Sequence, residues 1–235
     1  MPTGIIINVG AVVIGGLGGS ILSGILSDNI KEHLNTVLGL CAFCMGISAV
    51  VLMKNMPAVV LAVILGSLAG YLLKITSTIQ HGAQKLFGSV LKDAGQEKND
   101  LMVTAVVLFC ISGTGIYGSL DSGMTGNHSV LMAKAIMDFF TAMIFACQLG
   151  RITAFIGIPQ FIIMYSLFLL ASLIVPMTTE VMIADFKACG GFILVATGLR
   201  MLKLKAFSVA DLIPSMLFVM PISALWTNVI LPFIG

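Results

Sequence analysis

Residues 4–26 read GIIINVGAVVIGGLGGSILSGIL, a run of 23 residues that contains no charged side chain. A helix needs about 20 mostly apolar residues to cross the hydrocarbon core of a bilayer. The run is too long for the apolar core of a cleaved signal peptide, and no basic residue precedes it. It therefore predicts a first transmembrane helix, and the fold class depends on how many similar runs follow.

Seven further apolar runs follow along the chain. Barrel strands would alternate polar and apolar residues over about ten positions, whereas these runs are apolar throughout. The sequence therefore predicts an all-α polytopic membrane protein, a single transmembrane domain over residues 1–235 with about eight transmembrane helices. The predicted spans are 4–26, 35–53, 57–75, 101–119, 130–150, 157–177, 186–203 and 211–233.

The composition excludes most other classes of protein. Of the 235 residues, 58% are hydrophobic and 9% are charged, and the mean hydropathy is +1.10. Soluble domains carry about 25% charged residues, so a water-soluble fold is excluded. Twelve basic and ten acidic side chains give a net charge of +2, which leaves no basic face for nucleic acid. We expect the lipid bilayer as the surrounding partner and no nucleic-acid partner.

The distribution of basic residues predicts the orientation. An even number of spans places both termini on one side, and cytoplasmic loops carry an excess of Lys and Arg. Loops on the side of the termini hold Lys54 and Lys187, against nine basic residues in the opposite loops. We therefore expect an inner or plasma membrane protein with both termini extracytoplasmic and a cytoplasmic linker over 76–100. The nine are Lys31, Lys74, Lys85, Lys92, Lys98, Arg151, Arg200, Lys203 and Lys205.

The linker allows two interpretations. Leu86, Phe87, Val90 and Leu91 recur at helical spacing between polar residues, which is typical of an amphipathic helix lying on the membrane surface. A plain solvated linker is the alternative.

Cysteine and motif patterns favour a protein that is not an enzyme. Cys41 and Cys44 form a C-x-x-C pattern inside one apolar span, where a redox motif would lack an accessible thiolate. The three histidines stand in separate loops, so no metal site is predicted. The sequence contains no P-loop, no G-x-S-x-G and no H-E-x-x-H motif. We expect neither enzymatic activity nor a cofactor.

Glycine pairs predict where helices touch. Gly15 and Gly19 form a G-x-x-x-G pattern in the first span, and Gly66 and Gly70 form another in the third. Small residues four apart let helix backbones approach closely in lipid. Spans one and three should therefore pack tightly, either within the chain or between the subunits of a homo-oligomer.

A glycine-rich segment lies between the fourth and fifth spans. Residues 113–126 read GTGIYGSLDSGMTG and are predicted to end the fourth span early and to form a flexible polar loop. Asn127 or Ser129 can then cap the fifth helix. The free N–H groups and positive dipole end of that helix would favour an anion. An ordinary hairpin without a binding role is the alternative.

Two charged residues stand inside the fifth span. Lys134 is close enough to the helix start to extend toward the interface, whereas Asp138 is near the midplane and too short to do so. A charge at that depth costs at least ~2.5–3.5 kcal/mol. We interpret the pair as a substrate or ion site with Asp138 as a proton carrier; a structural ion pair is the alternative. Other polar residues that could join the site are Asn8, Tyr117, Asp121, Asn127, Gln148 and Gln160.

Internal similarity predicts a repeat. When the chain is shifted by 152 residues, the first three spans overlie the last three, and Gly39 and Gly46 fall on Gly191 and Gly198. Each span and its copy are displaced by five spans, so that the first corresponds to the sixth. An odd displacement reverses the direction in which the copy crosses the membrane. This pattern is typical of inverted repeats in secondary transporters. The two predicted repeats and the central helix pair between them are 4–75, 157–233 and 101–150.

The order of motifs resembles the bacterial YdfK/YqgA-like membrane family, whose domain has no known function. The likeness covers nearly the whole chain. It is strongest in INVGAVVIGGLGGSIL near the start and in YGSLDSGMTGNHSVLMAKAIMD, residues 117–138. The resemblance implies an integral bacterial membrane protein, often described as a transporter, and no particular substrate. The matching residues are Gly118, Ser119, Gly126, Lys134 and Asp138, and Asn127 stands where the family has an acid.

Three functions remain open at this point. The repeat, the interrupted fourth span and the buried charges favour a secondary transporter of a small solute. An anionic group is a candidate chemistry for that solute, and protons or cations are candidate coupling ions. Glycine-rich packing would also suit a homo-oligomeric channel. A non-transporting membrane subunit or scaffold is the third alternative.

Overall fold

The computed structural model describes residues 1–23, 27–87, 96–205 and 207–234. Among those residues the regular elements are all helices, as the apolar runs predict. A helix satisfies its own backbone hydrogen bonds, as a segment in lipid requires. The helices are α1 (Thr3–Ile21), α2 (Asp28–Val50), α3 (Met56–Leu72), α4 (Ile75–Phe87), α5 (Gln96–Cys110), α6 (Gly113–Thr125), α7 (Ser129–Leu149), α8 (Gly157–Ile174), α9 (Glu180–Met201), α10 (Pro214–Leu225) and α11 (Leu231–Ile234).

The number of spans follows from helix length and apolar composition. Among the described residues, six helical stretches are long and apolar enough to cross a membrane, or seven when the bent pair of α3 and α4 is one span. One of the six, Ser129–Met177, has 49 residues and contains both α7 and α8. At 1.5 Å per residue it would extend over about 70 Å, more than twice the ~30 Å hydrocarbon core. It must therefore turn back on itself.

Glycines of α1 bring this helix into backbone contact with α7. A Cβ on Gly15 would collide with the backbone of Phe139, and a Cβ on Gly19 would collide with the backbone of Met143. The contact further along α1 is also the one further along α7, so the two helices run parallel. The first predicted glycine contact is confirmed, and it lies within the chain.

Contacts between α1 and α8 run in the opposite direction. Asn8 is hydrogen-bonded to Gln160, whereas Val13, further along α1, lies against Gly157 at the start of α8. Since α1 is parallel to α7 and antiparallel to α8, the chain reverses in the 3-10 turn Gly150–Ile156. The long apolar stretch therefore holds two spans. The prediction of about eight transmembrane helices is confirmed for the part of the chain that the structure describes.

The glycine-rich segment 113–126 is a helix, and its prediction as a loop was wrong. α6 occupies Gly113–Thr125 and continues the fourth span beyond its predicted end. Glycine disfavours helices in water, but here it allows close packing: a Cβ on Gly118 would meet Leu131 of α7, and one on Gly123 would collide with the backbone of α8. The fourth span is interrupted earlier, between α5 and α6.

Two compact units divide the chain. The first contains Met1–Val37 and Ser77–Leu173, and the second contains Leu38–Thr76 and Ile174–Gly235. In the first unit, residues of α1, α5 and α7 share an apolar core around Phe109. Each unit takes helices from both halves of the sequence. The single transmembrane domain stays a prediction.

In the second unit, α3 packs on α10 and α2 packs on α9. A Cβ on Gly66 would collide with Ser215, and one on Gly70 would collide with the backbone of Asp211. The second predicted glycine contact is therefore confirmed and also lies within the chain. α2 and α9 approach each other at Gly39, Gly46, Gly191 and Gly198.

The chain changes direction after α3. The axis of α4 departs from that of α3 by 51°. The Asp211 carboxylate holds the turn, because it accepts hydrogen bonds from N and Oγ1 of Thr76, each at 2.9 Å. Of the residues that predict a surface helix, Leu86 and Phe87 form the end of α4, whereas Val90 and Leu91 lie outside the described residues, so the full surface helix stays a prediction.

Candidate functional site

α7 carries an ion pair inside its membrane span. Lys134 Nζ donates to Asp138 Oδ2 at 2.5 Å, and the two residues lie one helical turn apart. Lys134 is 2% exposed and Asp138 is 8% exposed, so the lysine does not extend to the interface. Removal of one partner would leave the other as an uncompensated buried charge. Each charge therefore depends on the other to be stable in the buried position.

Two carboxamide side chains complete the arrangement, and we call the four residues the Asp138 cluster (Asn8, Lys134, Asp138 and Gln160). Asp138 Oδ2 also accepts hydrogen bonds from Asn8 Nδ2 and Gln160 Nε2, each at 2.9 Å. Gln160 Nε2 donates to Asn8 Oδ1 at 2.8 Å. Both amide residues are fully buried. Helices α1, α7 and α8 thus bring together four of the predicted site residues.

The interruption of the fourth span lies beside the Asp138 cluster. α5 ends at Cys110 and α6 begins at Gly113, so the hydrogen-bond ladder of the span stops between them. Gln160 Nε2 lies 3.4 Å from the carbonyl oxygen of Phe109, which a continuous helix would bond to the N–H four residues on. The amide of Gln160 therefore links the cluster to the broken helix.

The N-terminus of α6 lies next to the side chain of Lys134. Ser112 caps this helix by accepting a hydrogen bond from Gly115 N at 3.1 Å. A Cβ on Gly115 would lie 3.0 Å from Lys134 Cε and 3.0 Å from Ser112 Oγ, so glycine leaves room for the lysine. A positive helix end and an ammonium group together favour an anion. The sequence predicted an anion-favouring helix N-terminus at the start of α7 and not at the start of α6.

One acceptor in the Asp138 cluster lacks a partner. Gln160 Oε1 is buried, and no donor among the described residues reaches it. An unsatisfied buried acceptor costs about 1–3 kcal/mol. The arrangement can therefore still take a donor group, a water molecule or a cation at this oxygen.

Two further predicted site residues lie on α6. Tyr117 and Asp121 are each 2% exposed and share one face of the helix, four residues apart. Thr125 Oγ1 donates to the Asp121 carboxylate at 3.2 Å. The hydrogen bonds that define the Asp138 cluster are those among Asn8, Lys134, Asp138 and Gln160.

The remaining predicted residues lie at the ends of α7. Asn127 is exposed, and its Oδ1 accepts a hydrogen bond from Ser129 N at 2.9 Å. The N-cap residue of α7 is His128, so the predicted cap at Asn127 or Ser129 was placed one residue away, and Asn127 precedes the N-cap. Gln148 is exposed near the opposite end of the helix.

A buried carboxylate in the second unit was missed. Asp185 on α9 is fully buried and accepts hydrogen bonds from the backbone N of Lys54 and of Asn55, at 2.8 and 2.9 Å. Asn55 Nδ2 and Ser223 Oγ also donate to it, at 3.1 and 2.6 Å. The predicted seventh span begins one residue later, so the acid was left outside it. An acid in the second turn of a helix capped by Thr179 was the available signal.

Together these features define an α-helical integral membrane protein in which an interrupted span lies against a buried, hydrogen-bonded ion pair. The chain belongs to the family described as "Protein of unknown function (DUF554)", whose model matches residues 3–224. The resemblance seen in the sequence is thereby confirmed.

Two curated relatives cover nearly the whole chain. The "Uncharacterized protein YqgA" of Escherichia coli (strain K12) is 46% identical over 231 residues, which are 97% of this chain and 98% of that protein. The "Uncharacterized membrane protein YdfK" of Bacillus subtilis (strain 168) is 25% identical over 211 residues, or 86% and 88% of the two chains. No solved structure matches the chain at a significant level.

Proposed function

We propose that this protein is a secondary transporter of a small solute in the bacterial inner or plasma membrane. The observation that carries the proposal is the break between α5 and α6 beside the Lys134–Asp138 pair. Secondary transporters build their sites from such interrupted helices near the midplane. Ionisable residues buried at that depth are costly and mark substrate or ion pathways. Neither a catalytic step nor a cofactor is part of the proposal.

The charges favour a substrate with an anionic group. A carboxylate could compete with Asp138 for Lys134, and the positive end of α6 would add to the attraction. Asp138, once released, would take a proton or another cation. Substrate binding would thus be coupled to cation binding, because each charge keeps a partner.

Helix packing supports an inverted repeat. Gly46 lies against the backbone N of Val195, and Gly198 lies against the backbone N of Phe43. The 152-residue shift places Gly46 on Gly198 and Phe43 on Val195. The two contacts are therefore equivalent, because each joins one of these glycines to the other position in the opposite helix. We infer that α2 and α9 are copies that cross the membrane in opposite directions, as in the inverted repeats of many secondary transporters.

The orientation remains as the basic residues predict it. Both termini would be extracytoplasmic, and the linker 76–100 would lie in the cytoplasm.

The channel alternative loses its main support. Gly15, Gly19, Gly66 and Gly70 make their close contacts within one chain, so they do not indicate contacts between subunits. A homo-oligomer stays a prediction, and so does a scaffold role.

The transport proposal is tested in proteoliposomes that contain the full chain. A panel of labelled small carboxylates, amino acids and neutral solutes is screened under imposed proton and sodium gradients. We expect saturable uptake of at least one solute, lost in Asp138→Asn and retained in Asp28→Asn, which removes the exposed carboxylate of the Lys31–Asp28 pair. Normal gradient-driven uptake by Asp138→Asn would make the buried pair structural, and single-channel currents would favour a pore.

A further inference from the structure

We propose that the Asp138 cluster is a sodium site, and that in the state seen here the Lys134 ammonium neutralises the Asp138 carboxylate in place of the ion. The inference rests on the proposed transport function and names the coupling ion. The ligands would be the Asp138 carboxylate, the side-chain oxygens of Asn8 and Gln160, and the carbonyl oxygen of Phe109.

The first support is the convergence of oxygen atoms. Gln160 Nε2 lies 2.8 Å from Asn8 Oδ1, 2.9 Å from Asp138 Oδ2 and 3.4 Å from Phe109 O. An amide nitrogen has two hydrogens, so it cannot satisfy three acceptors equally well. Three oxygens from α1, α7 and the end of α5 thus surround one point.

The second support is the unpartnered Gln160 Oε1. If the amide turned over, this oxygen would face the three acceptors and would be repelled by them. A cation held between the four oxygens removes that repulsion and satisfies Oε1 at the same time. The broken helix therefore supplies a carbonyl ligand, and the amide supplies a second one on rotation.

The chemistry of the ligands selects the ion. Carboxylate and carbonyl oxygens are hard ligands that suit hard cations. A proton would need the carboxylate alone and would leave the amide and backbone oxygens unused. One carboxylate balances one positive charge, which favours a monovalent ion over a divalent one.

Lys134 would act as a tethered competitor for this ion. When an anionic substrate group attracts the ammonium toward the α6 N-terminus, Asp138 loses its partner. Sodium then replaces the ammonium, so the net charge of the cluster is unchanged. A monovalent anion and one sodium ion would cross together without net movement of charge.

Equilibrium binding of ²²Na⁺ to the purified full chain tests the inference, with choline chloride holding the ionic strength constant. We expect Lys134→Gln to bind sodium at least tenfold more tightly than the wild type, because the competitor is gone. Saturable binding should disappear in Lys134→Gln/Asp138→Asn and weaken about tenfold in Lys134→Gln/Gln160→Leu. Lys31→Gln, which removes the partly buried lysine of an ion pair outside the cluster, should bind as the wild type does.

A second measurement guards against a folding defect in Lys134→Gln. Sodium chloride, but not choline chloride, should raise the melting temperature of the wild-type protein, and Asp138→Asn should abolish this effect. Absence of a sodium-specific shift in the wild type would overturn the inference. So would a folded Lys134→Gln that binds no sodium.

The two proposals fail in different ways. Proton-driven solute uptake without ²²Na⁺ binding would contradict the sodium site and leave the transporter intact. Specific ²²Na⁺ binding without uptake of any solute would support the site and contradict transport.

Discussion

Asn8 and Gln160 are 152 residues apart in the chain, and their side-chain amides are hydrogen-bonded at 2.8 Å. The repeat predicted from the sequence has the same interval, so its 152-residue shift places Asn8 on Gln160. In such a repeat, two equivalent positions would touch only close to the axis that relates them. Both residues also contact Asp138, so the carboxylate would lie close to that axis.

The ion pair should show strong coupling in stability. Lys134→Ala strands a buried carboxylate and should cost ~3–5 kcal/mol, whereas Lys134→Ala with Asp138→Asn should cost clearly less. Thermal melts of the purified variants in the same detergent measure the difference. Lys31→Ala serves as the control, because its partner Asp28 is exposed and should tolerate the change. Equal losses in the single and double variants would contradict a paired buried charge.

Gly115→Ala should impair transport more than it impairs folding. The new methyl group meets Lys134 Cε and Ser112 Oγ at 3.0 Å, and a flexible lysine can shift away from it. The shift moves the ammonium from Asp138, so substrate affinity should change while the melting temperature changes little. Uptake kinetics and melts of the same preparation test this.

Gly15→Ala and Gly18→Ala provide the matched comparison. Gly15 contacts the α7 backbone, which cannot shift locally, so its replacement should lower the melting temperature substantially. Gly18 has no neighbour within 4 Å, so alanine there should be neutral or stabilising by up to about 1 kcal/mol. A large loss of stability in Gly18→Ala would contradict this packing.

Cysteine labelling in intact cells should place both termini outside. The motivation is the excess of basic residues in the opposite loops. A cysteine tag at either terminus should react with a membrane-impermeant maleimide, whereas Lys98→Cys in the linker should be protected until the cells are opened. Protection of both tags would reverse the orientation, and labelling of only one would contradict the even number of spans.

Asp185→Leu should destabilise the protein by several kcal/mol, since it strands donors on Asn55, Ser223 and the adjacent backbone. Asp185→Asn keeps acceptor capacity and should cost less. Any folded Asp185→Asn should retain uptake, because the residue holds the turn before α3. Melts and uptake by the two variants distinguish this structural role from a transport role.

The sequence predicted the features that depend on local composition and periodicity. Apolar runs determine the spans, and the spacing of Lys134 and Asp138 places both on one face of α7. The glycine pairs, whose four-residue spacing also places them on one helix face, predicted close contacts. They did not predict which helices would be the partners.

Features that depend on tertiary contacts were less accessible. The sequence proposed Asn8 and Gln160 as members of the site, but only the packing of α1 and α8 against α7 places them on Asp138. The segment 113–126 was read with helix propensities measured in water, whereas its helix is stabilised by neighbours that glycine allows to approach. Asp185 was missed because the predicted span began one residue later, and its donors come from distant parts of the chain.

The glycine contact between α1 and α7 also limits how the protein can move. Helices whose backbones touch cannot slide or part without losing that contact along their length, so α1 and α7 behave as one rigid body. Asn8 and Asp138 then travel together. Opening and closing of the cluster would have to come from α6 and α8, with the break before Gly113 as the hinge.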